Sequence, residues 1–377
     1  MVTWEESQTP AHAEIFQTVR KHLAKDLQKT TSFFCVESLL ATAVHTFLSG
    51  FPGEVSYAVK CLPEPKIICS LARHGIRKFD VASLNEIQLV SGLCPGATLF
   101  FNHPVKSRES IGEAITRYGV RNFVVDSHQE LQKFLDFSLR DICLTVRIAV
   151  PTGSEKYDFA AKFGCNLAEA EEVAKAVYAS YGRYGLTFHV GSQCTDENAY
   201  VRGLQMCRSV ADRVGAEPHF LNVGGGFPVL SNEPPSATLP RYFQAIRDAA
   251  QMHRFPALIC EPGRALVGAS GVAALPIELV SRGRIFLSDG VYGLLGELNY
   301  LDCDFPLSSV LAKNGDVEGL FQLFGPTCDS FDQIERRVRL KTSIAEGDWI
   351  LFGNLGAYSW SLASSFNGFS DRKFFLI

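Results

Sequence analysis

The feature that most restricts the fold of this chain is a rhythm. From Ser56 onward, short apolar runs alternate with amphipathic stretches for some two hundred residues. The runs are Ser56 to Lys60, Lys78 to Ser83, Ala97 to Asn102, Asn122 to Asp126, Cys143 to Val150, Leu186 to Ser192, His219 to Gly226 and Ala257 to Glu261, eight in all. Helical patterns lie between them, for example Ser107 to Tyr118, Ser127 to Phe137 and Asn166 to Tyr181. Ser107 and Ser127 stand where N-caps belong, and Glu130 follows Ser127 at capping-box spacing. Eight β-α alternations predict a (β/α)8 TIM-like barrel; an open doubly wound sheet is the structural alternative and rarely needs so many units.

After Arg264 the rhythm changes. Val272 to Arg282, Arg284 to Ser288, Leu320 to Phe324, Arg337 to Leu340 and Trp349 to Phe352 read as strands separated by turns. Before the repeat, Pro10 to about Leu27 has a mixed helical pattern and Ser32 to Val36 reads as a short strand. The expected organisation is a barrel over residues 36–270 and a β-rich domain over 271–377, to which residues 1–35 contribute a strand.

With 46% apolar and 20% charged residues the chain can build a large core. A net charge of -4 without a basic block argues against nucleic acid or an acidic membrane surface as partner. The beginning, Met1-Val2-Thr3-Trp4-Glu5-Glu6, lacks a basic region followed by an apolar run, and no apolar stretch is long enough to cross a bilayer, so a cytoplasmic protein is expected. Eleven cysteines, scattered without CxxC pairs or a Cys/His cluster, suggest neither a disulfide framework nor a metal site.

Polar residues end many of the apolar runs, and catalytic groups of such barrels collect at the carboxyl ends of strands. Ser56-Tyr57-Ala58-Val59-Lys60 puts an amine there, and a strand-end lysine among apolar neighbours can attack a carbonyl to form a Schiff base, although an isolated one is usually just solvated. Asn222-Val223-Gly224-Gly225-Gly226-Phe227-Pro228 lets several amides turn toward one point, as a phosphate requires; it lacks the GxGxxG and P-loop patterns, and an ordinary loop reads the same way. Cys260-Glu261-Pro262-Gly263-Arg264 ends the eighth run with a carboxylate that could keep a pyridine nitrogen protonated and a guanidinium suited to a phosphate, or simply with a salt-bridged turn. His189 and Ser192 end the sixth run, and Gly325-Pro326-Thr327-Cys328-Asp329-Ser330 presents a thiol beside a carboxylate, suited to proton delivery and to holding a cationic amine.

Tyr57-Ala58-Val59-Lys60-Cys61, His189-Val190-Gly191-Ser192, Gly224-Gly225-Gly226-Phe227-Pro228, Glu261-Pro262-Gly263-Arg264, Asp289-Gly290-Val291-Tyr292-Gly293, Gly325-Pro326-Thr327-Cys328-Asp329 and Phe366-Asn367-Gly368-Phe369 occur in the order in which similar motifs occur in the ornithine decarboxylases. The chain resembles that family, the group IV decarboxylases of the alanine racemase-like fold, from before Lys60 almost to its end. The resemblance implies pyridoxal 5'-phosphate as cofactor, a barrel plus a β-rich domain, and a homodimer with shared active sites. It implies that Lys60 forms the Schiff base with the cofactor, that His189 stacks on its ring, that Glu261 pairs with the ring nitrogen, and that Ser192, Gly226, Arg264 and Tyr358 hold the phosphate. Asp80, Glu86, Arg147, Gly225 and Gly263 match further positions near the cofactor. Asp289 of one subunit and Asp329 of the other are implied at the distal amine of the substrate, Tyr292 as a further substrate-binding residue, and Cys328 as the proton donor to the product.

The implied reaction is decarboxylation of L-ornithine to putrescine. Lysine, giving cadaverine, is the runner-up, and diaminopimelate fits less because its decarboxylases place Glu where this chain has Asp329. Inactive relatives that bind regulatory proteins are a rival of another class, but this chain keeps Lys60, Glu261, Arg264, Cys328 and Asp329. A racemase would need a second catalytic tyrosine, which the cysteine-containing turn does not show. The sequence departs from the animal pattern at Asn222, where Asp is usual, and over Leu294 to Leu307, in Gly296-Glu297-Leu298 and Asp302-Cys303-Asp304.

Overall fold

The computed structural model describes residues 3–6, 10–24, 29–137, 141–150, 162–231, 233–301, 305–310 and 317–377. Its chain divides into two compact units, one of Ala41–Pro228 and Pro235–Leu266, the other of Met1–Leu40, Val229–Pro234 and Val267–Ile377. Among the described residues no helix is long and apolar enough to cross a membrane.

The first unit is the expected closed parallel barrel. Its strands are Glu54–Ala58, Lys78–Val81, Thr98–Phe101, Asn122–Val125, Cys143–Ile148, Gly185–Phe188, Leu221–Asn222 and Leu258–Cys260. Closure is made by the last strand on the first, with Ile259 opposite Glu54 and Cys260 opposite Val55. Phe100, Cys143, Phe220 and Ile259 pack into one buried cluster contributed by strand residues and the residue before the seventh strand. Most strands are shorter than the apolar runs that mark them. Lys60 lies in a single 3-10 turn, Val59–Cys61, just beyond its strand, and Asn102, Asp126, His189 and Glu261 each follow the last strand residue. The ladder stops where polar side chains begin, because a barrel strand has neighbours on both sides and little room for unpaired polar groups. Asp80 and Arg147 differ, since they sit on the strands themselves.

The helix starts follow from local chemistry. Ser83, Ser107 and Ser127 cap their helices by accepting from the N–H groups of Glu86, Ser110 and Glu130. The box expected at Ser127 is only half formed. The Glu130 carboxylate is turned inward, where Oε1 accepts from the Lys106 N–H at 3.1 Å and lies 2.9 Å from the Lys106 amine, and Oε2 lies 2.6 Å from the Lys133 amine. A buried ammonium outcompetes a cap N–H for a carboxylate. The complete box instead forms at Asn166 and Glu169, at the start of Leu167–Tyr181.

In the second unit, nine strands are present among the described residues. Along the main path the order is Thr3–Glu5, Arg337–Lys341, Glu318–Phe324, Arg284–Leu287, Gly271–Ser281, Trp349–Phe352 and Leu307–Val310. Strand Ser32–Cys35 pairs antiparallel with Gly271–Ser281 and parallel with Lys373–Leu376. Helix Pro10–Leu23 covers the sheet through Phe16, Val19 and Leu23, which pack with Phe34, Val272, Trp349 and Leu351. Thr3–Glu5, Leu307–Val310 and Lys373–Leu376 are strands that the sequence pattern does not mark. Helix Glu37–Gly50 is also additional to the marked elements. Asp302-Cys303-Asp304, noted as a departure in sequence, lies outside the described residues.

The Lys106–Glu130 pair is tested by unfolding. Lys106 has no exposed side-chain surface, its Nζ donates to the carbonyls of His103 at 2.8 Å and Val124 at 2.7 Å, and burial pushes its pKa down to about 8. Lys106→Met should cost about 3 kcal/mol in denaturant unfolding, the lower end for a broken buried pair because Lys133 still faces Glu130. Lys106→Met with Glu130→Leu should cost less than the single change, since no buried charge is then left unpaired.

Candidate active site

At the carboxyl end of the barrel strands the structure gathers Lys60, Asp80, Glu86, Asn102, Arg147, His189 and Glu261. Lys60 is ion-paired to Asp80 at 3.1 Å, with side chains 49% and 5% exposed. This corrects the apolar setting expected for the amine: register places Ala58 beside Asp80, so the turn after the first strand meets the carboxylate of the second. Glu86 joins the cluster from the first turn of Leu84–Leu93, where its Oε2 accepts the Ala82 N–H at 2.7 Å. Burial, with the nearby Asp80 charge, raises the Glu86 pKa.

Glu261 is the electrostatic centre. Asn102 Nδ2 and Asn222 Nδ2 both donate to its Oε1, and among the described residues no bond engages Oε2. Burial first, and the Asp80 charge second, push its pKa up to about 7. The side chain of Asn222 also accepts from Gly224 N–H at 2.9 Å. An aspartate at this position could accept from the glycine but, when ionised, could not donate to Glu261. The departure at Asn222 therefore adds a donor beneath the carboxylate. His189 is half-buried, and desolvation, with the Arg147 and Lys60 charges nearby, holds its pKa well below the ordinary value. Its Nδ1 accepts from Gly191 N–H at 3.0 Å, which leaves the proton of the neutral ring on Nε2.

The glycine loop lies against these groups. Gly224 and Gly226 have φ of 69° and 93°, a region L residues rarely adopt. A Cβ at Gly225 would come within 2.7 Å of the Glu261 carbonyl and 3.3 Å of His189 Nε2. The loop is stitched down by Cys194 N–H to Gly226 O at 2.9 Å, Tyr200 Oη to Gly225 O at 2.8 Å and Glu261 N–H to Gly224 O at 2.8 Å. The first of these ties it to the segment that carries Ser192. These residues fit pyridoxal 5'-phosphate. A half-buried carboxylate with one oxygen unengaged suits a protonated ring nitrogen, a neutral imidazole suits a ring face, and a loop without Cβ atoms suits a phosphate. Gly263 allows the turn after Glu261 to pass Cys61, since a Cβ there would overlap the Cys61 sulfur. Arg264 opens the short helix that follows.

The remaining residues expected from sequence lie in the sheet unit. Tyr358 stands at the start of Ser359–Leu362 with φ of 65°. Tyr292 Oη donates to Asp329 Oδ2, and Phe331 N–H donates to Asp329 Oδ1 at 3.0 Å. The Phe331 amide and then the tyrosine hold the Asp329 carboxyl below its usual range, and the same tyrosine-carboxylate bond raises the Tyr292 pKa. Cys328 is exposed, and its N–H and Sγ are both 3.2 Å from Asn367 Oδ1. Asp289 is buried and ion-paired with Arg372. Asp289, Cys328, Asp329, Asp332 and Arg372 line one cavity of about 820 Å³ within this unit.

Four residues in these clusters were not marked by sequence as site groups. Asn102 was visible only as a polar residue ending a strand. Asn367 lay inside a motif without an assigned role. Asp332 is 2% exposed and accepts from the Val291 and Thr327 N–H groups at 2.9 and 3.0 Å, which closes the turn bearing Cys328. Arg372 gave no signal, since a single arginine after a motif looks like any solvated one.

A family model described as "Pyridoxal-dependent decarboxylase, pyridoxal binding domain" matches residues 37–268. Ornithine decarboxylase of Cricetulus griseus is 31% identical over 357 residues, 88% of this chain and 77% of that protein. Antizyme inhibitor 2 of Xenopus laevis is 32% identical over 359 residues, 86% of this chain and 76% of that protein. The crystal structure of lysine/ornithine decarboxylase complexed with cadaverine from Vibrio vulnificus aligns with a TM-score of 0.85 at 27% identity, covering 97% of this chain and 99% of that one. The match spans the whole barrel that carries Lys60, His189 and Glu261, and the chain belongs to the pyridoxal 5'-phosphate-dependent amino acid decarboxylases, in the family of the ornithine and lysine/ornithine enzymes.

Proposed function

We propose that the chain decarboxylates L-ornithine to putrescine as a homodimer. The observation that carries the substrate class is Asp329, a carboxylate that a backbone amide and Tyr292 keep charged beside the Cys328 thiol. A charged carboxylate next to a proton donor suits an amino acid with a cationic far end. The names of the relatives support a basic amino acid as substrate: one is an ornithine decarboxylase, and the Vibrio lysine/ornithine enzyme carries cadaverine, the diamine of the lysine alternative. Lysine is the close second, because one methylene changes discrimination by only about 1–3 kcal/mol. Retention of Lys60, Glu261, Arg264, Cys328 and Asp329 disfavours a binding protein without activity.

In this reading Lys60 would hold the cofactor through its amine, which Asp80 orients. His189 packs against the ring, Glu261 holds the proton on the ring nitrogen, and Ser192, the Gly224–Gly226 amides, Arg264 and Tyr358 take the phosphate. When bound, pyridoxal 5'-phosphate supplies the electron sink for the pair released as carbon dioxide leaves. Glu261 matters most at that moment, since a proton held at the ring nitrogen stabilises developing negative charge. Cys328 then gives its proton to the carbon that lost the carboxylate, and the product is the diamine. The groups of the second cluster come from the partner subunit. In support, the thiol of that cluster is exposed, and Phe331, whose N–H holds Asp329, is 77% exposed.

Product analysis with ornithine, lysine, arginine and diaminopimelate in parallel tests the reading, and putrescine from ornithine should form fastest. Release of carbon dioxide from none of the four would overturn it.

Glu261→Gln keeps the shape and removes the charge. In the cofactor-free protein the folded-state pKa of about 7 stands above the ordinary 4.5, so the folded state binds the extra proton and stability falls as pH rises through that window. The variant should lose this pH dependence. With cofactor and substrate it should lose turnover roughly a hundredfold, far more than it loses cofactor affinity. Equal losses would mean a purely structural carboxylate.

Mixing Lys60→Ala with Asp329→Ala, each inactive, should restore activity on subunit exchange. With random exchange half the dimers are mixed and each has one intact site, so recovery should approach roughly a quarter of the original. No recovery after exchange is demonstrated by a mass tag would mean that both residues act within one chain.

A further inference from the structure

Asp289 begins the loop Asp289-Gly290-Val291-Tyr292-Gly293, and its side chain is 4% exposed. An ionised carboxylate has about four acceptor positions on two oxygens. All are used inside the unit. Oδ1 accepts from Gly290 N–H at 2.9 Å and Arg372 Nη2 at 3.1 Å; Oδ2 accepts from Arg372 Nε at 2.6 Å and Leu294 N–H at 3.2 Å. The Arg372 guanidinium uses four of its five N–H donors, because Nη1 also donates to Ser364 O and Nη2 to Phe369 O, both at 2.9 Å. Charge and hydrogen-bonding capacity of Asp289 are therefore both satisfied by Arg372 and two backbone amides.

The same arginine grips the loop from Ser364 to Phe369 at both ends. Within that loop Asn367 Oδ1 receives the N–H and Sγ of Cys328. Phe366 packs against Tyr292 with tilted rings whose centroids are 4.8 Å apart, and Ser364 N–H and Oγ donate to Tyr292 O at 2.9 and 2.8 Å. Tyr292 in turn holds Asp329. One guanidinium thus fixes the segment against which both the Cys328 thiol and, through Tyr292, the Asp329 carboxylate are set.

Building on the proposed decarboxylase reading, we propose that Asp289 is not a ligand of the substrate's distal ammonium but the anchor of Arg372, and that Arg372 is a positioning residue for Cys328 and Asp329. The distal cation is then read by Asp329 with Tyr292. Asp289 and Arg372 sum to zero charge and add nothing to the attraction.

The cofactor-loaded protein is compared with its Asp289→Asn, Arg372→Gln and double variants, and with Asp329→Asn. Each single change at the anchor should lower the thermal midpoint by several degrees, and the double variant should recover most of that loss, because two neutral amides can still bond while neither buries a lone charge. Kinetically the single changes should reduce kcat at least tenfold with KM for ornithine moved less than about twofold, whereas Asp329→Asn should raise KM tenfold or more at an unchanged midpoint. A double variant no more stable than the singles overturns the anchor, and so does Asp289→Asn that raises KM tenfold with the midpoint intact, as a direct ammonium ligand would. The midpoint comparison needs no turnover, so it decides the anchor even if wild-type protein acts on no basic amino acid.

Discussion

Everything at the barrel's catalytic end depends on one closure, the pairing of Leu258–Cys260 with Glu54–Ala58. Lys60 and Glu261 are two hundred residues apart in sequence and follow these two adjacent strands. Parallel pairing puts all the strand ends on one side, so that each strand delivers its terminal polar residue to the same region. Without closure the eighth strand would be an edge and Glu261 would face solvent. Inside it, desolvation raises the carboxylate's pKa to about 7, a cost to its charge that a cationic ring nitrogen would relieve.

Burial alone would make Glu261 a liability. The structure limits the cost through two amides on one oxygen and leaves the other oxygen unengaged among the described residues. This is the pattern expected of a group kept for a ligand rather than for the fold, because a structural carboxylate is saturated from within. The sheet unit supplies the contrast. Asp289 and Asp332 are both buried and both engaged on each oxygen by a backbone amide, and Asp289 also by a guanidinium. Asp329, with the Cys328 thiol beside it, is the carboxylate there that is left facing outward.

The division of polar labour differs between the units. In the barrel, polar residues are few per strand and are placed by register, so each position is set by the strand that bears it. In the sheet unit the groups stand on turns, and turns need ties. Asp332 closes one turn, and Arg372 joins another to the segment near the C-terminal strand. Loops held by a few such bonds respond strongly to loss of any one of them.

The order of strands and helices was legible in sequence because it is local. Eight apolar runs ended by polar residues determined the barrel, the place of Lys60 beyond the first strand and of Glu261 beyond the eighth, and serines at 107 and 127 determined two helix starts. Short strands such as Leu307–Val310 were not legible, since their stability comes from neighbours rather than from their own pattern. Tertiary structure alone decided where charges go. Glu130 left its capping box for Lys106, and Lys60 found Asp80 rather than an apolar wall. Asp289, conspicuous in its motif, was taken by an arginine 83 residues later. The physical reason is that backbone pattern depends on residues a few positions apart, whereas the partner of a buried charge is whatever opposite charge the folded chain brings within about 4 Å.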